Sequence, residues 1–193
     1  MKLLLAGAYC LAAVLAVTAA APDLVELHGT ARVGARQAPG TVVWLDAPDA
    51  PPSPRQTRVV LDQRNLAFQP GVLAVRVGTA VDFPNNDRVF HNVFSFRDGK
   101  VFDLGLYPVG TLKRVVFDRP GVSRLFCNIH PTMAAYVVAV ETPYFAVADQ
   151  AGAFTIAAFP AGDYRFHAWR PGGAELTGTW SSASDGPLDV AWR

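Results

Sequence analysis

Cysteine and methionine are scarce in this 193-residue chain, at two each, histidine numbers four, and charged side chains make up only 17% of it. The 17 basic and 16 acidic side chains nearly cancel, so the basic footprint of a nucleic-acid binder is missing. That balance also argues against strong electrostatic steering, and any docking should lean on apolar contact. No nucleophile triad, paired carboxylate set or phosphate loop stands out, and an enzyme is the least expected class. A hydrophobic fraction of 51% excludes a disordered or low-complexity protein, and the length allows one or two domains.

The first residues read as a leader. Met1 and Lys2 precede an apolar run from Leu3 to Val17, followed by Thr18, Ala19, Ala20 and Ala21. A basic start, an apolar core too short to span a bilayer and a small-residue cleavage site predict a signal peptide over residues 1–21. Cys10 follows Tyr9, which is too large for lipoprotein processing. The mature protein is expected to be secreted, in the periplasm, with no membrane span. Cleavage removes Cys10 and Met1, leaving Cys127 and Met133 as the sole cysteine and methionine. An unpaired cysteine in an oxidising compartment has three readings: a buried inert thiol, a bond to another chain, or a thiolate held by a metal.

Beyond Asp23 the chain carries no helical period, only short runs rich in valine, phenylalanine and threonine between Gly, Pro and Asp signals. This predicts an all-β fold. Expected strands are Thr41 to Leu45, Val72 to Val77, Ala80 to Phe83, Val89 to Phe96, Arg114 to Phe117, Val122 to Cys127 and Ala135 to Val140. Four more are expected at Tyr144 to Ala148, Phe154 to Phe159, Tyr164 to Trp169 and Glu175 to Trp180. Their spacing suggests a sandwich. Ala47 to Pro54, with four prolines in eight residues, reads as a stiff connector.

Cys127 and Met133 bound one segment, Cys127-Asn128-Ile129-His130-Pro131-Thr132-Met133. A loop between two strands can turn a thiolate, an imidazole and a thioether toward one point, and this donor set suits copper. Structural zinc would draw more Cys and His ligands. One nitrogen is still missing, and His91, followed by Asn92, is available on the expected strand Val89 to Phe96.

Asn65-Leu66-Ala67-Phe68-Gln69-Pro70, Val77-Gly78-Thr79-Ala80-Val81-Asp82-Phe83, Asn86-Asp87 and His91-Asn92-Val93, ending in the Cys127 to Met133 segment, resemble a plastocyanin/amicyanin-type cupredoxin. The resemblance covers about residues 57–140, and the two residues between His130 and Met133 match the short amicyanin-type loop. The chain also resembles secreted cupredoxin-like proteins named as methylamine utilisation proteins. The resemblance implies a cupredoxin Greek-key sandwich holding one type 1 (blue) copper through His91, Cys127, His130 and Met133. Asn92 is then expected to hydrogen-bond the cysteine loop, where a Ser or Thr usual in the family is replaced by Asn128. Ile129 and Pro131 flank His130 and are candidates for a docking surface toward a redox partner protein, whereas Phe83 and Phe126 are expected to be sandwich core.

Gly29 to Val33 and Pro39 to Leu45, with Asp149 to Ile156 and Phe159 to Phe166, resemble the opening and closing halves of a carboxypeptidase-regulatory-like (prealbumin-like) β-domain. Residues 24–46 and 142–193 are then expected to form one discontinuous second sandwich around the cupredoxin. His28 and His167 are assigned no ligand role, His167 being expected as a half-exposed sheet histidine. The leading expectation is an exported carrier of single electrons. The alternatives are a copper-binding carrier or chaperone, and a metal-free β-sandwich interaction module.

Overall fold

A computed structural model describes residues 23–48, 50, 58–96 and 98–193. The expected leader and most of the proline-rich connector lie outside the described residues. Regular structure among the described residues is entirely extended, and no helix there is long and apolar enough to cross a membrane.

The chain opens with β1 (Leu24–Val33), β2 (Arg36–Gln37) and β3 (Val42–Leu45). It continues through β4 (Val59–Val60), β5 (Asp62–Arg64), β6 (Ala67–Gln69), β7 (Val72–Arg76), β8 (Thr79–Pro84), β9 (His91–Ser95), β10 (Phe102–Tyr107), β11 (Leu112–Phe117), β12 (Gly121–Phe126) and β13 (Ala134–Val140). It closes with β14 (Phe145–Val147), β15 (Ala153–Pro160), β16 (Asp163–Trp169), β17 (Leu176–Ser181) and β18 (Leu188–Trp192).

The middle strands form a five-stranded sheet in the order β10-β9-β12-β13-β7 and a three-stranded sheet in the order β11-β8-β4, with β5 and β6 as a separate hairpin. Alternation along these strands decides what they enclose. Leu125, Val137 and Val93 project inward to meet Val81, Phe83, Val115 and Phe117, all buried in one core that also takes in Cys127 and Met133.

The flanking strands pair with one another. β1 lies between β15 and β18, and β3 lies between β14 and β16. Their core gathers Leu27, Leu45, Ile156, Phe159, Trp180 and Trp192. Gly29 of β1 is confined: a Cβ there would come within 2.3 Å of the Phe154 ring and 2.4 Å of the Leu188 carbonyl.

β13 reads Ala-Ala-Tyr-Val-Val-Ala-Val, apolar on both faces, and the fold shows why. Ala135, Val137 and Ala139 face the first core. Val138 and Val140 point the other way, packing with Ala74 and Val42 under Trp44, Phe145 and Trp169. A strand covered on both faces loses the polar alternation of a surface strand. Phe126 departs from expectation: it is half-buried on the outer face, 5.5 Å from the Phe96 ring and 5.7 Å from the Phe94 ring, because it alternates with the inward Leu125 and Cys127. Strands β1, β2, β4, β5, β6, β10 and β18 are also absent from the expected strands, β1 having been expected only as part of the flanking β-domain.

Candidate metal centre

The hairpin β12–β13 builds half of the site. Phe126 pairs with Ala134, so Cys127 and Met133, one residue further on each side, begin and end the connecting loop. The neighbouring pair Leu125 and Ala135 is buried, and alternation by two turns Cys127 and Met133 inward as well. Both are buried, at 4% and 1% exposure. The loop is closed by the Met133 N–H, which donates to the His130 carbonyl at 2.9 Å.

The other half comes from β9, held between β10 and β12. His91 is fully buried, and its Nδ1 lies 3.9 Å from Cys127 Sγ. His130 Nδ1 lies 3.7 Å from the same sulfur and 3.1 Å from His91 Nδ1. Among the described residues these three are the group of His, Cys and carboxylate donors close enough to share a metal ion. A planar site with bonds of about 2.0 Å to nitrogen and about 2.3 Å to sulfur has edges of roughly 3.5–3.7 Å. The observed edges of 3.1, 3.7 and 3.9 Å bracket that range, the edge between the two histidines being the short one. Two imidazole nitrogens and a sulfur converging in this way also form a good ligand set for a transition metal.

Asp87 orients His91. Its carboxylate accepts the Leu66 N–H at 2.7 Å, the His91 Nε2–H at 3.0 Å and the Arg88 N–H at 2.8 Å. These donors, the Leu66 amide foremost, hold its pKa down to about 2 against the effect of desolvation. With Nε2 carrying the proton toward Asp87, Nδ1 keeps its lone pair for the cysteine side.

Asn92 ties β9 to the cysteine loop, but not through the side chain at 128. Its Oδ1 accepts the backbone N–H of Asn128 at 3.1 Å. Because the donor is main chain, the replacement of Ser or Thr by Asn128 leaves this bond intact. Behind the site, Gln63 donates to Tyr107 and to the Pro84 carbonyl, and Tyr107 donates to the Phe83 carbonyl at 3.1 Å. Burial pushes the Tyr107 phenol up to about 12, so it stays neutral.

His130 is half-buried, and Ile129 and Pro131 beside it are exposed. Leu66 and Phe90, joined to the His91 environment through Asp87 and through the chain, are 50% and 52% exposed. The cluster is thus sealed on the His91 side and open at His130, amid apolar side chains.

The remaining histidines stay apart. His28 is exposed and bonds Thr155 Oγ1 at 3.0 Å. His167 is more enclosed than the sequence suggested, with 17% of its side chain exposed. It stacks on Trp44 at 5.1 Å and lies 2.6 Å from Glu175 and 3.1 Å from Asp46. A cleft of about 710 Å³ near it, lined by Trp44, Asp46, Arg76, Glu141 and Glu175 among others, contains none of the clustered donors. Asp87, Gln63 and Tyr107 were missed as parts of the site by sequence reasoning. The signal for Asp87 was present, an acid four residues before the histidine.

No family model matches the chain. Over 68 residues it is 40% identical to methylamine utilization protein MauL of Methylorubrum extorquens, a match covering 35% of this chain and 60% of that protein. A purple cupredoxin from Nitrosopumilus maritimus is 26% identical, with 42% of this chain and 99% of the other covered at a TM-score of 0.39. An oxidised amicyanin variant is 22% identical, covering 43% and 82%, at 0.41. The copper-containing nitrite reductase of Thermus scotoductus is 24% identical, covering 58% and 25%, at 0.42. The chain thus spans about three fifths of the length of the curated relative it matches, and its all-β fold, with three donors gathered at one end, is similar to a cupredoxin-type domain.

Proposed function

We propose that this protein is an exported, periplasmic type 1 copper protein that carries single electrons to or from a redox partner and is not an enzyme. The observation that carries this reading is the triangle of His91 Nδ1, His130 Nδ1 and Cys127 Sγ, with edges of 3.1, 3.7 and 3.9 Å. His91, Cys127 and His130 would hold the ion, with the Met133 thioether as a weaker donor. Copper in such a donor set would supply one-electron chemistry, with a potential tuned by the thioether and the apolar surroundings.

The chain's own residues prepare that site. Asp87 fixes the His91 tautomer, Asn92 anchors the cysteine loop, and Val93, Phe83 and Tyr107 exclude water from the inner side. His130 offers its edge to a partner, with Ile129 and Pro131 as apolar contacts. Residues 24–46 and 142–193 form, in this reading, one discontinuous β-domain of the carboxypeptidase-regulatory type.

Addition of cupric ion to the purified protein tests the proposal by visible and electron-paramagnetic spectra. An intense thiolate-to-copper band with narrow copper hyperfine splitting, lost in Cys127→Ser, is expected. A weak ordinary cupric spectrum would instead assign copper delivery, and the absence of stoichiometric binding would assign a metal-free module.

A further inference from the structure

Asn92 uses both ends of its amide. While Oδ1 accepts from Asn128, its Nδ2 donates to Asp103 Oδ1 at 2.7 Å. The same carboxylate oxygen accepts the Gly105 N–H at 2.8 Å. Asp103 lies on β10, where the register slips: Asp103 pairs with Phe94 and Leu106 with Asn92, so Leu104 and Gly105 together oppose Val93 alone. This is a β-bulge, with Gly105 at φ 63°, a conformation open to glycine at little steric cost. The bulge aims the Asp103 carboxylate at the Asn92 amide.

The chemistry of that contact has one solution. An ionised carboxylate only accepts, and a backbone N–H only donates. Turning the Asn92 amide over would set its oxygen against Asp103 and its NH2 against the Asn128 N–H, two repulsive contacts at a residue only 2% exposed. Asp103 therefore selects the single orientation in which Oδ1 faces the loop that begins with Cys127.

We infer that Asp103 is a positioning residue for the metal-binding loop: through Asn92 it holds the Asn128 amide, and with it Cys127, against β9. The inference rests on the copper reading for its functional meaning, but the mechanical link is a property of the copper-free chain. Two consecutive residues of β9 are then braced by carboxylates from different elements, His91 by Asp87 and Asn92 by Asp103. The His91 brace sets a proton position, whereas the Asn92 brace sets the loop.

The test uses the copper-free full chain. Hydrogen exchange is followed at the Asn128 amide, and Cys127 labelling by a disulfide reagent is resolved by peptide mass so that Cys10 does not interfere. Asp103→Leu, which deletes the acceptor while keeping the branched shape, is expected to raise both rates at least fivefold while the Val137 amide is unchanged. Asp103→Asn retains an acceptor oxygen and is expected to stay within twofold of the parent. Asn92→Ala should reproduce the Asp103→Leu rise, and combining the two should add nothing.

Rates within twofold of the parent in Asp103→Leu, or equal damage from Asp103→Asn, would overturn the inference. If Asp103→Leu does not fold, Asp103→Ala is judged by the same criteria. Copper addition to the parent separates the two claims. Absence of the intense band there overturns the copper reading, while the exchange and labelling results still decide the role of Asp103.

Discussion

Asp87 and His91, four residues apart, are joined by a 3.0 Å hydrogen bond between a carboxylate with 10% of its side chain exposed and the Nε2 of a fully buried imidazole. The bond dictates which ring nitrogen is left for Cys127. An outer carboxylate on a ligating histidine typically contributes 10–100-fold to metal affinity. Asp87→Ala should weaken copper binding by about that factor, read by competition with a chelator of known affinity. An affinity within twofold of the parent would show that packing alone fixes the ring.

Acid stability should depend on Asp82. This buried carboxylate accepts from Arg114 Nε at 2.5 Å and Nη2 at 3.0 Å, and Arg58 lies 3.5 Å away. The Arg114 hydrogen bonds hold its pKa below the ordinary carboxylate range. A depressed folded pKa means stabilisation that is present above about pH 4 and lost as pH falls through the folded value. Asp82→Asn should lower the thermal midpoint at neutral pH by a few degrees and flatten its decline below about pH 4. Melting curves of both proteins from neutral to strongly acidic pH check the difference.

His167 should contribute stability of the opposite pH sense. Burial disfavours its charged form, but bonds to Glu175 and Asp46 outweigh burial and raise its pKa above the usual value. Both ring nitrogens face carboxylate oxygens, an arrangement that only the doubly protonated ring satisfies. The stabilisation is complete below about pH 6.5 and disappears as pH rises through the folded pKa. Glu175→Gln should bring the His167 titration, followed by nuclear magnetic resonance, down toward the ordinary value. An unchanged midpoint would assign the shift to Asp46 alone.

The seam between the two cores should be energetically coupled to the fold. Val138, 1% exposed, packs with Val42, Ala74 and Val140, and burying a valine side chain stabilises by roughly 1.5–3 kcal/mol. Val138→Ala should cost about 2 kcal/mol in denaturant unfolding, whereas Val116→Ala, at a 46% exposed position, should cost little. Equal, small effects at both positions would mean that the seam opens freely.

Much of the fold was legible because the strands that build the cores carry strong local patterns. Val72 to Val77 alternates between faces that meet different partners, and the structure buries Val75 in one core and Ala74 in the seam. β10 escaped because its pattern is broken by the Leu104-Gly105 bulge, and β18 because it follows a polar stretch and pairs in parallel with the distant β1. The burial of Phe126 was misjudged for a related reason: a phenylalanine on a strand announces an apolar site but not which side of the sheet it occupies.

By itself the sequence determined the all-β class, the concentration of Cys127, His130 and Met133 in one short loop, and the supply of a further imidazole at His91, because composition and spacing are properties of the chain. Only the tertiary structure decided that His91 meets that loop, that Asp87 sets its tautomer and that Asp103 reaches Asn92. Those contacts depend on strand register and on one bulge, and a shift of a single residue would turn each side chain to the other face of the sheet.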